Sequence, residues 1–403
     1  MQNFKAFLSR YNLITAPFFV ILTISALTLT PWHIYQHGVA WQNIVLFVLM
    51  LAACLMSITC GYHRLFAHRS YEASSILKFL YLVFGASCYQ QSCMQWASEH
   101  RIHHQHVDHD KDPYNIQEGF WWAHMGWILS SKKANASRPD DLLNDPLVIW
   151  QEKYWMLIGA LVGGLMPALI AHFLWNDFLG GFIYGGVLRL FISHHITFAI
   201  NSLAHTLGKQ NYTDTNSAKD SWITAIFTFG EGYHNFHHWY ARDYRNGIRA
   251  YHWDPSKWFI KSMNWLGLTW NLKQASQEAI LQARLKMQKK RLELQQPLNE
   301  RAQQLFDDAY QKIEHLKLKK QELSKLAEQK KIAFMNSLDV QQQELQQSFK
   351  QTQEAFYKQL RQKKASLVHS IDQQQLELQH SIKETQKALY KQLKEWSKVA
   401  KPA

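Results

Sequence analysis

The chain has 403 residues and carries 44 Lys and Arg against 31 Asp and Glu, a net charge of +13. That length allows more than one domain, and the basic excess suits anionic lipid headgroups or phosphorylated substrates without choosing between them. Four cysteines (Cys54, Cys60, Cys88, Cys93) lie in apolar stretches with no metal-type or secretory spacing, which excludes a disulfide framework and an iron–sulfur motif.

A mean hydropathy of −0.31 hides two unlike parts. Residues 1–273 are apolar and rich in Trp, Tyr and Phe; residues 274–403 are mostly Gln, Lys, Glu, Leu and Ala. The opening "MQNFKAFLSRYN" runs into an apolar stretch with no small-residue cleavage site, so a retained anchor is expected rather than a signal peptide. Four stretches, Leu13–Leu29, Trp41–Gly61, Tyr154–Phe173 and Gly181–Ile200, are long enough to cross a bilayer, which takes about 20 helical residues. A fifth, Ile76–Cys93, is interrupted by Lys78 and is marginal.

Basic residues orient the spans. Lys5 and Arg10 precede the first; Arg64, Arg69, Lys132, Lys133 and Arg138 lie between the second and third, and the short connections "PWHIYQHGVA" and "LWNDFLGG" carry no Lys or Arg. The positive-inside rule then puts both termini and the central loop in the cytoplasm. Residues 254–272 place Trp258, Trp265 and Trp270 among basic residues, as in a helix lying at the interface. The tail reads as long polar helix with an internal repeat, "QQQELQQSFKQTQEAFYKQL" (341–360) against "QQLELQHSIKETQKALYKQL" (374–393), offset by 33 residues. Its apolar stripe, Leu345, Phe349, Phe356 and Leu360 with counterparts Leu378, Ile382, Leu389 and Leu393, predicts a coiled coil that self-associates. A solvated single helix is the alternative.

Histidines gather at the predicted membrane exits. "HRLFAH" holds His63 and His68; "EHRIHHQHVDH" holds His100, His103, His104, His106 and His109; "NSLAH" holds His205; "HNFHH" holds His234, His237 and His238. Spacing i, i+3, i+4 puts three rings on one helix face. Spacing i, i+5 puts His63 and His68 about 140° apart on an α-helix, so they can share a metal only if the helix ends or bends between them. The nine rings of His63, His68, His100, His103, His104, His205, His234, His237 and His238 can lie on one side only if Ile76–Cys93 does not cross, which predicts an interfacial segment there. Nine neutral donors exceed what one ion can use, so two ions are expected. Imidazole suits Zn, Cu, Fe and Ni alike, and iron is favoured because attack on an unfunctionalised C–H bond in a lipid chain needs a redox metal and O₂. Glu99, Asp108, Asp112 and Glu231 are candidates to orient the rings, though each could equally cap a turn.

"GYHRLFAHRSY", "WASEHRIHHQHVDHDKDPYN", "GFWWAHMGW", "NSLAHTLG" and "GEGYHNFHHWYARDYRNG" resemble, in order and spacing, the membrane-bound acyl-CoA Δ9-desaturases of the stearoyl-CoA desaturase type, over about two-thirds of the chain. The resemblance implies an all-α integral membrane fold of four transmembrane helices with a cytosolic helical cap. It implies a di-iron centre held by His63, His68, His100, His103, His104, His205, His234, His237 and His238, with a water held by Asn201. It further implies an oxidoreductase that uses O₂ and two electrons to place a cis double bond at carbons 9 and 10 of a saturated acyl-CoA. Trp96 would line a kinked acyl tunnel. Electrons must come from outside, from a ferredoxin, a cytochrome or a flavin reductase, because the chain shows no dinucleotide fingerprint and no haem motif. The sequence departs from the family where CoA is bound: Ser98 replaces a basic residue, and "SSKK" offers only Lys132 and Lys133. A phospholipid-acyl desaturase, a fatty acyl hydroxylase and, in a different class, a membrane-anchored coiled-coil scaffold are the competing readings. No nucleic-acid partner is expected, and the location expected is a bacterial inner membrane.

Overall fold

A computed structural model describes residues 9–132, 136–348 and 353–399. Lys5 and Lys133 lie outside the described residues, as do the side chains of Leu345, Phe349, Phe356, Leu360 and Leu393. The chain divides into two compact units, Met1–Ala275 and Ser276–Ala403.

In the first unit four helices are long and apolar enough to cross a membrane: α1 (Thr15–His37), α2 (Trp41–Ala67), α5 (Pro146–Trp175) and α6 (Phe178–Thr206). Between α2 and α5 lie α3 (Ser75–Ala86) and α4 (Cys93–His106); after α6 come α7 (Trp222–Phe227), α8 (His234–Trp239) and α9 (Pro255–Trp265). At 12 residues α3 is about 18 Å long, too short for a hydrocarbon core of about 30 Å. The two connections at the far side are short, and the ends carrying the histidines come out together. At 27 and 29 residues, α2 and α6 are about 40 Å or more in length, so each overshoots the hydrocarbon. His63 and His205 ride on those overshoots.

Local chemistry explains where helices begin. Ser74, Ser92, Asp145, Asp177, Ser221 and Asp254 each accept a backbone N–H in the first turn of the helix they precede. Pro146 and Pro255 occupy first-turn positions, where a missing N–H is harmless. On α1, Val20, Ile21, Ile24 and Leu27 are exposed, an apolar flank suited to lipid. A two-residue antiparallel pairing, Glu72 opposite Trp270 and Ala73 opposite Thr269, ties the segment after α2 to the end of the unit. Its core gathers Cys54, Ile58, Tyr62, Tyr81, Leu82, Met94 and Ile260.

Among the described residues the second unit holds three helices, α10 (Gln277–Gln295), α11 (Glu300–Ser348) and α12 (Gln353–Val399). Lys312 reaches Gln392 (2.5 Å) and Lys330 reaches Gln374 (3.2 Å). A step of 18 residues up α11 thus matches a step of 18 down α12, the register of an antiparallel hairpin. Leu389 is buried with Phe306, Ala309, Ile313 and Leu285. At that position the stripe expected to pair two chains is used inside one.

Candidate metal centre

The helix carrying "HRLFAH" ends at Ala67, between its two histidines, and His68 is its C-cap. From Ser57 to Ala67 it widens into π-helical turns, and the His68 N–H donates to the His63 carbonyl at 3.0 Å. An i→i+5 bond closes a wider turn than the α-helical one, so the two rings come edge to face, centroids 4.7 Å apart. The helix thus ends between the two histidines as expected, and the wider π-helical pitch before that end adds to their convergence.

Nine imidazoles then form two groups. His63, His68, His100, His104 and His237 make one; His103, His205, His234 and His238 make the other, with the ligand atoms of each within 4.8 Å of one another. The rings meet through Nε2: His63–His237 3.0 Å, His68–His100 2.9 Å, His104–His237 3.0 Å, His205–His234 3.1 Å, His234–His238 3.0 Å and His103–His238 3.3 Å. Hydrogen bonding accounts poorly for this, because one Nε2 offers a single proton or a single in-plane lone pair and His234, His237 and His238 each face two partners. Two nitrogens held about 2.1 Å from one ion at a right angle stand about 3.0 Å apart, which is the spacing found. Burial pushes His68, His100, His104, His234, His237 and His238 well below the ordinary histidine range, leaving the neutral rings a metal requires. The donor set fits two metal ions.

Four of the opposite ring nitrogens have a polar neighbour in the shell around them, whereas those of His234 and His237 are buried without a hydrogen-bond partner. His103 Nδ1 is 2.8 Å from Asp112 Oδ1, and His63 Nδ1 is 3.1 Å from Glu231 Oε2. His205 Nδ1 meets Ser217 Oγ at 2.7 Å, and Ser217 is fixed in turn by Asp108 through its N–H and hydroxyl, both at 2.5 Å. His100 Nδ1 lies 3.3 Å from the Tyr114 hydroxyl. A carboxylate on Nδ1 keeps the proton there and leaves the Nε2 lone pair facing inward. Asp112→Asn is therefore expected to weaken metal affinity about 10–100-fold while leaving the fold intact, read as metal retained per chain after chelator dialysis.

Glu231 also anchors Arg64, a residue with 1% exposure. The Arg64 Nε and Nη2 donate to Glu231 Oε1 (3.3 and 2.9 Å), Nη1 and Nη2 donate to Asp254 (3.2 and 2.9 Å), and Nη1 also donates to the Tyr244 carbonyl (2.8 Å). Burial alone would raise the Glu231 carboxyl, but His63 and Arg64 hold it down to about 2. Arg64 is thus a core ion pair rather than one of the loop charges counted for topology.

Glu99 is a correction. One position before His100 on α4, it points some 100° away from the ring. Its carboxylate accepts from Gln95 (2.6 Å) and Gln91 (3.4 Å) and touches no histidine, and burial raises its pKa. His106 lines an outer cleft, and the His109 carbonyl accepts from Asn115. Lys132 is 71% exposed at the rim of that cleft, 3.4 Å from Glu118 and over the Trp122 ring.

Beside the two groups runs a cavity walled by Ile58, Trp96, Trp127, Ile128, Phe198 and Ile200, with Asn201, His63, His100 and His234 at its polar end. Trp96 stacks on His100, centroids 4.9 Å apart. The wall also carries polar groups: Gln90 Nε2 donates to Thr197 Oγ1 at 2.9 Å, and Thr59, Gln91 and Glu99 line the cavity too. Trp127, Ile128, Gln91 and Glu99 also line the outer cleft, so cavity and cleft adjoin. Tyr114, Ser217, Gln90, Thr197 and Trp127 were not singled out from the sequence, although Tyr114 and Trp127 stand in quoted motifs.

Fold and site together define an integral membrane helical protein built around paired polyhistidine centres. The fatty acid desaturase family matches residues 39–272, more than half of the chain, and the chain belongs to that family. It is 42% identical over 254 residues to Acyl-CoA desaturase 1 of Saccharomyces cerevisiae, covering 62% of this chain and 50% of that one. It is 40% identical over 244 residues to a probable acyl-CoA desaturase of Schizosaccharomyces pombe, covering 60% and 51%. Human stearoyl-CoA desaturase 5 is 34% identical over 241 residues, covering 58% of this chain and 72% of that one. The chain spans about half the length of the two yeast relatives it matches.

Proposed function

We propose that the protein is an O₂-dependent acyl-CoA desaturase that places a cis double bond at carbon 9 of a saturated chain, in an inner membrane of bacterial type with both termini and the site cytoplasmic. The observation that carries this reading is the apolar cavity ending at two groups of histidines on the overshooting ends of α2 and α6. Bound there, two iron ions would supply the O₂ activation and electron storage that breaking unactivated C–H bonds demands. The balance is one CH₂–CH₂ unit, O₂, two electrons and two protons giving CH=CH and two waters.

The chain's own residues do the rest. His63, His68, His100, His104 and His237 would hold one ion; His103, His205, His234 and His238 the other, with Asn201 placing a water beside them. Trp96 and Trp127 exclude bulk water from the acyl chain, and the Gln90–Thr197 pair gives the wall a polar feature at which the chain can bend. Lys132 and Lys133 are the candidates for the CoA phosphates. The electron donor is external: a ferredoxin, a cytochrome or a flavin reductase.

One observation favours a second reading. The outer cleft sets Lys111 and Lys132 against Asp110, Asp112 and Glu118, a poor cradle for CoA phosphates. A phospholipid-acyl desaturase or hydroxylase shares the metal chemistry without that need. Gas chromatography–mass spectrometry of fatty acids from a host lacking its own desaturase decides among these, with wild type compared with His103→Ala. A Δ9-monoene that appears with wild type, sits first in the CoA pool and vanishes in the variant is expected. Alcohols would indicate the hydroxylase, label entering intact phospholipid first the phospholipid enzyme, and unchanged lipids would sink the desaturase reading.

A further inference from the structure

A second cleft, of about 520 Å³, shares no lining residue with the acyl cavity or the cleft adjoining it. Four cations line it, Arg69, Lys78, Arg242 and Lys273, with three acids, Glu72, Asp141 and Asp145. The acids are already engaged. Arg101 holds both oxygens of Asp141 (2.8 and 2.7 Å), Lys78 holds Asp145 (2.9 Å), and Glu72 accepts from Trp270 Nε1 (2.6 Å) and Asn271 Nδ2 (2.9 Å).

The remaining cations are not matched. Arg69 comes no nearer than 3.8 Å to Asp141, which Arg101 already satisfies. Lys273 Nζ donates to the Arg69 carbonyl (2.6 Å), and Arg242 makes no ion pair among the described residues. Partial burial, with Arg242 and Arg69 close by, presses the Lys273 ammonium below its ordinary pKa, as crowded like charges do.

Location gives the charge a use. Leu65 and Phe66 form part of the cleft wall, and Arg69 directly follows His68, whose ring meets His100. Arg69 has a left-handed backbone, φ +50°, rare for a residue with a side chain, at the turn between ring and cleft wall. A single peptide unit therefore separates a surface that attracts anions from a ring of the metal centre. Trp270, 42% exposed, adds an aromatic contact to the same cleft.

We infer that this cleft receives the acidic face of a small one-electron carrier protein, which docks over the His68 side while the acyl substrate occupies the other. The inference rests on the desaturase reading, whose balance needs two electrons from outside the chain for each double bond. The carrier is oxidised by one electron at each of two visits, and both electrons end in water. Steering by unmatched cations accelerates encounter and weakens with salt.

The test uses the full-length, metal-loaded protein in lipid nanodiscs, with stearoyl-CoA and an enzymatically reduced, acidic plant-type [2Fe–2S] ferredoxin. Arg242→Glu is expected to raise the KM for ferredoxin about tenfold and flatten its salt dependence, with the KM for stearoyl-CoA unchanged. Lys273→Gln should act in the same direction and less strongly. In a single turnover, with protein reduced chemically without carrier and then given O₂, wild type and Arg242→Glu should form equal product. No product from wild type in that arm would fell the desaturase reading, and this inference with it. Equal single turnovers with an unchanged ferredoxin KM in Arg242→Glu would overturn the docking site alone. So would loss of binding to phosphatidylserine-rich vesicles by that variant without any change in ferredoxin KM, which would assign the cleft to lipid headgroups.

Discussion

Replacing Arg64 with alanine is expected to cost about 3–5 kcal/mol of stability and to strip metal from the histidine group that contains His63. Among the described residues, Arg64 is the one Lys or Arg side chain that forms an ion pair with the buried carboxylates Glu231 and Asp254. Without it, two acids with 2% and 0% exposure are left buried without a compensating charge. Glu231 would then take up a proton, and the contact that holds His63 Nδ1 would change from acceptor to competitor. Thermal unfolding in detergent and metal content per chain both read the effect. Adding Asp254→Asn to Arg64→Ala should recover part of the loss, since it removes one of the stranded charges. A melting midpoint unchanged by Arg64→Ala would show that this network does not support the fold.

Gly232→Ala should be nearly as damaging, by a steric route. A methyl there would overlap the Ala225 backbone nitrogen and stand 2.5 Å from the Thr224 carbonyl carbon, both in α7. Backbone cannot move aside by changing rotamer, so α7 and the loop that leads into α8 must separate. That breaks the bond from the Ser221 N–H to the Gly232 carbonyl, 2.9 Å long, two residues before His234. Metal content is expected to fall in both groups and activity to be lost. Gly164→Ala is the matched control, because its methyl would meet only Phe182 at 3.6 Å. Wild-type metal content in Gly232→Ala would refute the argument.

Much of this architecture could be read from residue order. Hydrophobic runs mark spans because lipid offers the backbone no partners, and a segment that must keep His63 and His100 on one side cannot cross. The structure brings together all nine histidines named from their spacing. What spacing could not supply was helical pitch: i, i+5 looks divergent on an α-helix and converges on the π-helical turns of 57–67. Tyr114, Ser217 and the Gln90–Thr197 pair were invisible because nothing in their neighbourhoods repeats, and their partners lie 12 to 107 positions away. Glu99 illustrates the opposite failure, a carboxylate adjacent in sequence to a histidine and turned away from it in space. In the tail, the apolar stripe was legible, but whether it meets a second chain or another helix of its own is not encoded in its period.

Two helices straddle both histidine groups. α4 gives His100 and His104 to one and His103 to the other; α8 gives His237 to one and His234 and His238 to the other. The first ion to arrive therefore fixes the rotation of both helices and pre-shapes the place of the second. Under metal starvation the population should divide into empty and complete molecules instead of becoming uniformly half-filled. Output would then fall in simple proportion to the metal supplied, whereas independent filling would make it fall as the square.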